Sequence, residues 1–194
     1  TGVQTCALPI SKDILSLSIY KESIDARKRG EINFIYTVDV TVADEHKFLT
    51  GKFKHVALTP ELAYQNPQKG DKQLTSRPVV VGFGPAGMYA ALLLAQMGYK
   101  PLVLERGEAV DERVKSIDAF WQKGKLNPKS NVQFGEGGAG TFSDGKLTSR
   151  VKDLRGRKVL TELVNAGAPE EILYKAHPHV GTDLLRDIVK NIRK

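Results

Sequence analysis

The residues with the clearest chemistry are three glycines and an acid: Gly82, Gly84, Gly87 and, eighteen positions later, Glu105. They lie in PVVVGFGPAGMYAALLLAQMGYKPLVLERG, residues 78 to 107, where the glycines follow the spacing G-x-G-x-x-G. Gly82 permits a tight turn, Gly84 lets backbone approach a pyrophosphate, and Gly87 lets a helix pack closely on a strand. Phe83, Pro85 and Ala86 complete the turn. Free amides at the helix start, with the positive end of its dipole, suit phosphate. A carboxylate at position 105 can accept hydrogen bonds from ribose hydroxyls, and it would repel a 2′-phosphate. The glycine pattern alone is also met by an ordinary strand–helix–strand unit with a glycine turn.

A second glycine-rich stretch, FGEGGAGTFSDGKLTSR, occupies residues 134 to 150. Gly135, Gly137, Gly138, Gly140 and Gly145 leave little side-chain wall, so successive backbone N–H groups can face an anion or a polar ring edge. The alternative is a flexible surface loop. Two further patterns here fail. GTFSDGK matches G-x-x-x-x-G-K, but Leu147 stands where a P-loop carries the Ser or Thr that holds magnesium. Ser143 lacks the G-x-S-x-G spacing of a nucleophile elbow.

Three elements must position the first motif. Val79-Val80-Val81 reads as a strand opened by Pro78, the breaker-free run that stops at Gly98 as a helix, and Leu102-Val103-Leu104 as a second strand. After Glu105, AVDERVKSIDAFWQKGK predicts an amphipathic helix with Val110, Val114, Ile117 and Trp121 on its core stripe. Arg106 and Arg113 either reach phosphate or stand as solvent-facing charges.

The rest of the chain supplies context. Its 194 residues and 41% hydrophobic content allow one domain or somewhat more. The net charge of +7 is spread out, +2 over residues 1–77 (11 basic, 9 acidic) and +5 over the remainder (18 basic, 13 acidic), which disfavours a nucleic-acid surface. The first ten residues, TGVQTCALPI, resemble a translated sequencing adapter and are set aside, together with Cys6. No membrane segment is visible downstream of them. Leu15, Leu17 and Ile19, then Ile32, Phe34, Tyr36, Val38, Val40 and Val42, alternate with mainly polar residues and predict a hairpin with one buried face. Its tip, Arg27-Lys28-Arg29-Gly30, would suit RNA, although charged tips commonly serve only to stay solvated. Residues 59 to 77 read as a linker. Downstream, a helix is expected to end at Gly167 and another turn to begin at Pro169, with Thr182 capping a last helix. His46 and His55 lack ligand spacing, and His177 and His179 have no third ligand nearby, so no metal site is expected.

VVVGFGPAGMYAALLLAQMGYKPLVLERG, then NVQFGEGGAGTFSDGKLTSR, then HPHVGTD, together resemble the bacterial FAD-dependent dehydrogenases of the NAD(P)/FAD-dependent oxidoreductase class. The resemblance implies an α/β, Rossmann-like FAD-binding domain over residues 78–194 with an incomplete parallel sheet. A partial small α+β domain over 11–58 would precede it. It implies that Gly82, Gly84 and Gly87 hold the FAD pyrophosphate and Glu105 the adenosine ribose. Gly137, Gly138, Ala139, Gly140 and Thr141 would lie near the pyrophosphate and flavin ring, with Lys146 a neighbour of the flavin. It further implies a cytoplasmic bacterial flavoprotein oxidoreductase, with NAD(P) as an electron partner in the full-length protein, and a chain cut at both ends. Catalytic residues and substrate stay unassigned. The alternatives are an NAD-dependent dehydrogenase on the same fold and a non-catalytic or RNA-associated flavin-binding module.

Overall fold

A computed structural model describes residues 13–51, 55–61, 63–143, 145–147 and 153–194. The adapter-like decapeptide and Cys6 lie outside the described residues. The chain divides into two compact units, one holding the described residues up to 61 with 173–176, the other those of 63–172 and 177–194.

The first unit is an antiparallel hairpin. Strands β1 (Ile14–Asp25) and β2 (Asn33–Val42) pair in a register that runs from Ile14↔Val42 to Asp25↔Asn33. The register shifts twice, between Ile14 and Ser16 and between Ile19 and Lys21. Each shift inserts one β1 residue, and because side chains alternate with period two, each would turn the following residues over. The result keeps like with like. Leu17 pairs with Val40, Ile19 with Val38 and, past the second bulge, Ile24 with Phe34, all on one face. The other face carries Ser16 beside Thr41 and Ser18 beside Asp39. Residues 173–176 join this unit through the Glu22 amide, which donates to the Tyr174 carbonyl at 2.8 Å.

The expected period is present, but the expected burial is not. No residue of either strand is buried, and Leu17 and Phe34 remain 53% and 58% exposed. Alternation identifies which face is apolar, and burial requires a second layer that the described residues do not supply. The basic tip is also partly neutralised. Arg27 holds both oxygens of Asp25 at 2.8 and 2.6 Å, and Lys28 lies 3.8 Å from Glu31.

The second unit is built on a parallel pair. Strands β3 (Val79–Val81) and β4 (Leu102–Leu104) pair in the register Val79↔Leu102, Val80↔Val103 and Val81↔Leu104, connected by helix α1 (Pro85–Gln96). Helices α2 (Val110–Lys123), α3 (Leu154–Asn165) and α4 (Thr182–Arg193) follow, with short 3-10 turns at Ala139–Phe142 and Glu170–Leu173. The architecture is therefore mixed α/β, with one antiparallel and one parallel two-stranded sheet among the described residues.

Two clusters form the core. Phe83, Met88, Ala91, Val110 and Val189 pack with Val80 and Val103 under the parallel pair. Leu163, Ala168, Ile172, Val180, Leu185 and Ile188 join α3 to α4. Polar contacts tie α1 to α3 as well. Glu162 accepts from Gln96 at 3.0 Å and from Lys158 at 2.6 Å. Burial alone would push the Glu162 carboxyl up, but these donors outweigh it and hold it below the ordinary value.

Two local expectations change. Val110 and Ile117 lie in the core of α2, whereas Trp121 is 57% exposed and Arg113 is fully buried on the inward side. The helical period had marked the stripe without marking how far along it a neighbour reaches. Thr182 is the first residue of α4 and Gly181 precedes it as the cap, without a side-chain hydrogen bond. Helix α3 gains a cap that was not anticipated, from Asp153 to the Arg155 amide at 2.8 Å. As expected, α3 ends before Gly167, which has φ 111°, and a short turn follows Pro169. Among the described residues no helix is long and apolar enough to cross a membrane.

Candidate functional site

The chain leaves β3 through Gly82, whose φ of 93° is one that side chains rarely adopt. The Gly82 amide reaches across to the Leu104 carbonyl at 2.7 Å, so the turn starts fixed to the end of β4. Gly84 is the extended residue before α1, and Pro85 takes the first helical position, where a missing N–H costs nothing. A Cβ on Gly87 would run into the Gly82 carbonyl oxygen and come within 3.4 Å of Val80 Cγ1. Glycine here is what allows α1 to sit directly against the turn. No side chain caps α1, which leaves the amides of its first turn without intrahelical acceptors. Ala86 is exposed at this end, whereas the Phe83 side chain is buried in the core.

Glu105 lies at the tip of β4, and its carboxylate closes the same turn. One oxygen accepts from the Phe83 amide at 2.6 Å and the other from the Gly107 amide at 2.7 Å. A carboxylate offers about four lone-pair directions, so each oxygen keeps capacity for a further donor.

The second glycine stretch packs onto the first. The Gly137 amide donates to the Phe83 carbonyl at 2.7 Å, and a Cβ on Gly84 would lie 3.9 Å from Gly138 Cα. A Cβ on Gly138 would come within 2.9 Å of Pro85 Cδ and 3.2 Å of Gly84 Cα. Gly107 and Gly135 meet in the same way, because a Cβ on Gly107 would overlap Gly135 Cα. Three backbone segments, 82–87, 105–107 and 135–138, therefore converge with almost no side chain between them.

Arg113 holds this arrangement from beneath. It is 0% exposed, and its guanidinium donates to the carbonyls of Glu136, Gly138 (3.0 Å), Asn131 (3.0 Å) and Val132 (3.3 Å). Its plane also lies 4.6 Å from the centre of the Phe142 ring. Burial lowers the pKa of Arg113, opposed by the carboxylates of Glu105 and Glu136, and a guanidinium stays cationic through such a shift. Both expectations for this residue are thus corrected. It neither faces solvent nor presents donors to an open site, because its stem runs inward from α2 and loop carbonyls surround its head.

Glu136 is the counterpart that the sequence reading missed. One of its carboxylate oxygens accepts from the Val110 amide at 2.7 Å and from Arg193 at 2.9 Å. Ala109 gives α2 no side-chain cap, so this distant acid supplies one and ties the loop to α4 as well. A signal for Arg113 was present in the sequence: at 113 it stands three after Val110 and four before Ile117, a charge on the buried stripe. Nothing local marked Glu136.

The other predicted residues divide by position. Ala139 and Gly140 are exposed and Gly138 half-buried beside the turn, whereas Gly137 and Thr141 are buried. Thr141 places its hydroxyl beneath Gly137, where a Cβ would overlap it, so it supports the loop from inside. Arg106 is exposed, with its guanidinium 4.5 Å from the centre of the Phe134 ring. Lys146 has an exposed side chain, and its backbone forms an antiparallel bridge with His179. Among the described residues no group of three or more His, Cys, Asp or Glu side chains is placed to hold a metal ion.

Residues 7–41 match a protein-family model described as a domain of unknown function, DUF8436. The match takes in the hairpin as far as Thr41 and begins inside the decapeptide that resembles an adapter. An uncharacterized protein of Clostridium beijerinckii is 52% identical over 184 residues, which cover 94% of this chain and 34% of that relative. The chain thus spans about a third of the length of the curated relative it matches.

Proposed function

We propose that residues 82–87, Glu105 and the loop 138–140 form the seat of the ADP half of FAD, in the Rossmann manner, and that the chain is the FAD-binding part of a flavin-dependent oxidoreductase. The observation that carries this reading is the contact between the two glycine stretches. It leaves one surface of backbone, with only small side chains, at the carboxyl end of a parallel strand pair, where open α/β sheets bind their ligands. The donor set suits the group. The first-turn amides of α1, led by exposed Ala86, face a pyrophosphate, and the spare lone pairs of Glu105 receive ribose hydroxyls.

Within this reading the residues do different work. Gly84, Pro85 and Ala86 form one wall of the seat and Gly138, Ala139 and Gly140 the other. Phe83, Gly137, Thr141 and Arg113 hold those walls from inside and touch no ligand. When bound, the flavin ring supplies the redox chemistry, accepting a hydride from a substrate and passing electrons onward. Binding, orientation and exclusion of water fall to the chain.

Ala86→Asp tests the site without disturbing the fold. An acid in the first turn of a helix is neutral or stabilising, yet it puts a negative charge where the pyrophosphate would lie. The variant is expected to lose FAD binding by about a hundredfold or more, measured by quenching of flavin fluorescence, with its unfolding midpoint unchanged or raised. FAD affinity equal in the two proteins would overturn the site. Saturable binding of NAD, with none of FAD, would overturn the cofactor.

A further inference from the structure

The glycine turn lies at the carboxyl ends of β3 and β4. The opposite ends of the same strands border a second concavity, of about 340 Å3, formed by residues 69, 72–78 and 98–100. Its charged lining residues are Lys69, Lys72, Arg77 and Lys100, and no carboxylate lines it among the described residues. Several cations elsewhere in this unit meet acids directly. Lys115 lies 2.7 Å from Glu112, Lys158 2.6 Å from Glu162, Lys190 2.8 Å from Asp187 and Arg193 2.9 Å from Glu136.

The hollow is braced, and its charges are left available. Arg77 donates to the carbonyls of Lys100 at 2.6 Å and Pro101 at 3.0 Å, which fastens the linker to the start of β4 and fixes a guanidinium in the wall. Lys69 stands 4.8 Å from the centre of the Tyr99 ring. Lys72 and Lys100 have no ion pair among the described residues. At the adjoining end of α1 the carbonyls of Leu93, Leu94 and Ala95 accept from the amides of Met97, Tyr99 and Gly98, which closes the helix beside the hollow. Thr75 and Ser76 add hydroxyl donors to the lining. Like charges gathered in a concave surface raise its potential and concentrate anions there.

We propose that this hollow binds a small phosphate-bearing anion, at a site separate from the glycine turn. Its volume falls in the range of about 300–1,000 Å3 typical of small-molecule sites. The lining supplies ammonium, guanidinium and hydroxyl donors for a multivalent oxyanion, and its four charged residues are all cations. Helix α1 sets the separation, since its twelve residues run about 18 Å from the turn to the hollow. The proposal does not rest on the identity of the cofactor at the turn.

Amide NMR spectra of the 194-residue chain test it, recorded during titration with inorganic pyrophosphate, with AMP, and with sodium chloride at matched ionic strength. Saturable shifts are expected at Thr75–Arg77 and Gly98–Lys100 with at least one phosphate probe, and whichever binds more tightly separates a free diphosphate from a phosphate ester. The double variant Lys72→Ala/Lys100→Ala is expected to weaken those shifts by about tenfold or more. Any shifts at Gly82–Gly87 should persist in the variant. Shifts confined to Gly82–Gly87, shifts reproduced by salt alone, or unchanged affinity in the double variant would each overturn the proposal.

Discussion

Among the described residues the molecule holds two strand pairs, and they differ in length, direction and surroundings. The hairpin has strands of 12 and 10 residues, a regular apolar face and no buried side chain. The parallel pair has strands of three residues each, none of them buried either, but the turn beside it is packed so closely that several positions have no room for a Cβ. Length and regularity therefore do not measure how firmly a region is specified. The hairpin is held by its ladder and by cross-strand pairs, each worth about 0.2–1 kcal/mol. The turn beside the parallel pair is held by contacts that leave no room for a side chain at Gly87, Gly107 or Gly138.

The contrast is sharpest at Arg113. Arg113→Met keeps much of the stem and deletes the guanidinium, leaving the carbonyls of 131, 132, 136 and 138 without that donor. A loss of about 4 kcal/mol in denaturant-induced unfolding is expected. A loss under about 1 kcal/mol would mean that the loop is not held from beneath, and the two regions would differ less than the geometry says. Gly87→Ala is next. Its methyl group enters the space of the Gly82 carbonyl, so α1 must move off the turn, at about 3 kcal/mol. The smallest effect belongs to the hairpin. Leu17→Ser exchanges a half-exposed leucine on the bare face and is expected to shift stability by no more than about 0.5 kcal/mol. A large loss there would show that the face is covered in solution.

The same contrast explains what could be read from the sequence. Gly82, Gly84 and Gly87 were legible because their demands are local: a positive φ, a close approach, a missing Cβ, all within six residues. The strand–helix–strand order of β3, α1 and β4 followed from the apolar runs on either side of an apolar helix, whereas their register did not. The alternation of β1 and β2 correctly gave the apolar face, and could not say whether anything lies on it. Arg113 was misread because its acceptors lie 18 to 25 positions further on, beyond any local pattern. Trp121 was misplaced for a related reason, since helical spacing identifies a stripe, and the neighbouring element decides where along it burial stops. The bulges in β1 were also invisible in advance, although they let Ile24 share a face with Ile19.

Arg193, the final residue of α4, donates to the carboxylate that caps α2 and belongs to the glycine loop. Without Arg193, Glu136 is left buried with only the Val110 amide on that oxygen. The loop's order therefore depends on a side chain that belongs to a neighbouring helix. Anything that clamps the end of α4 stiffens the glycine loop through a single shared carboxylate, and anything that pulls on it loosens the loop before the core responds.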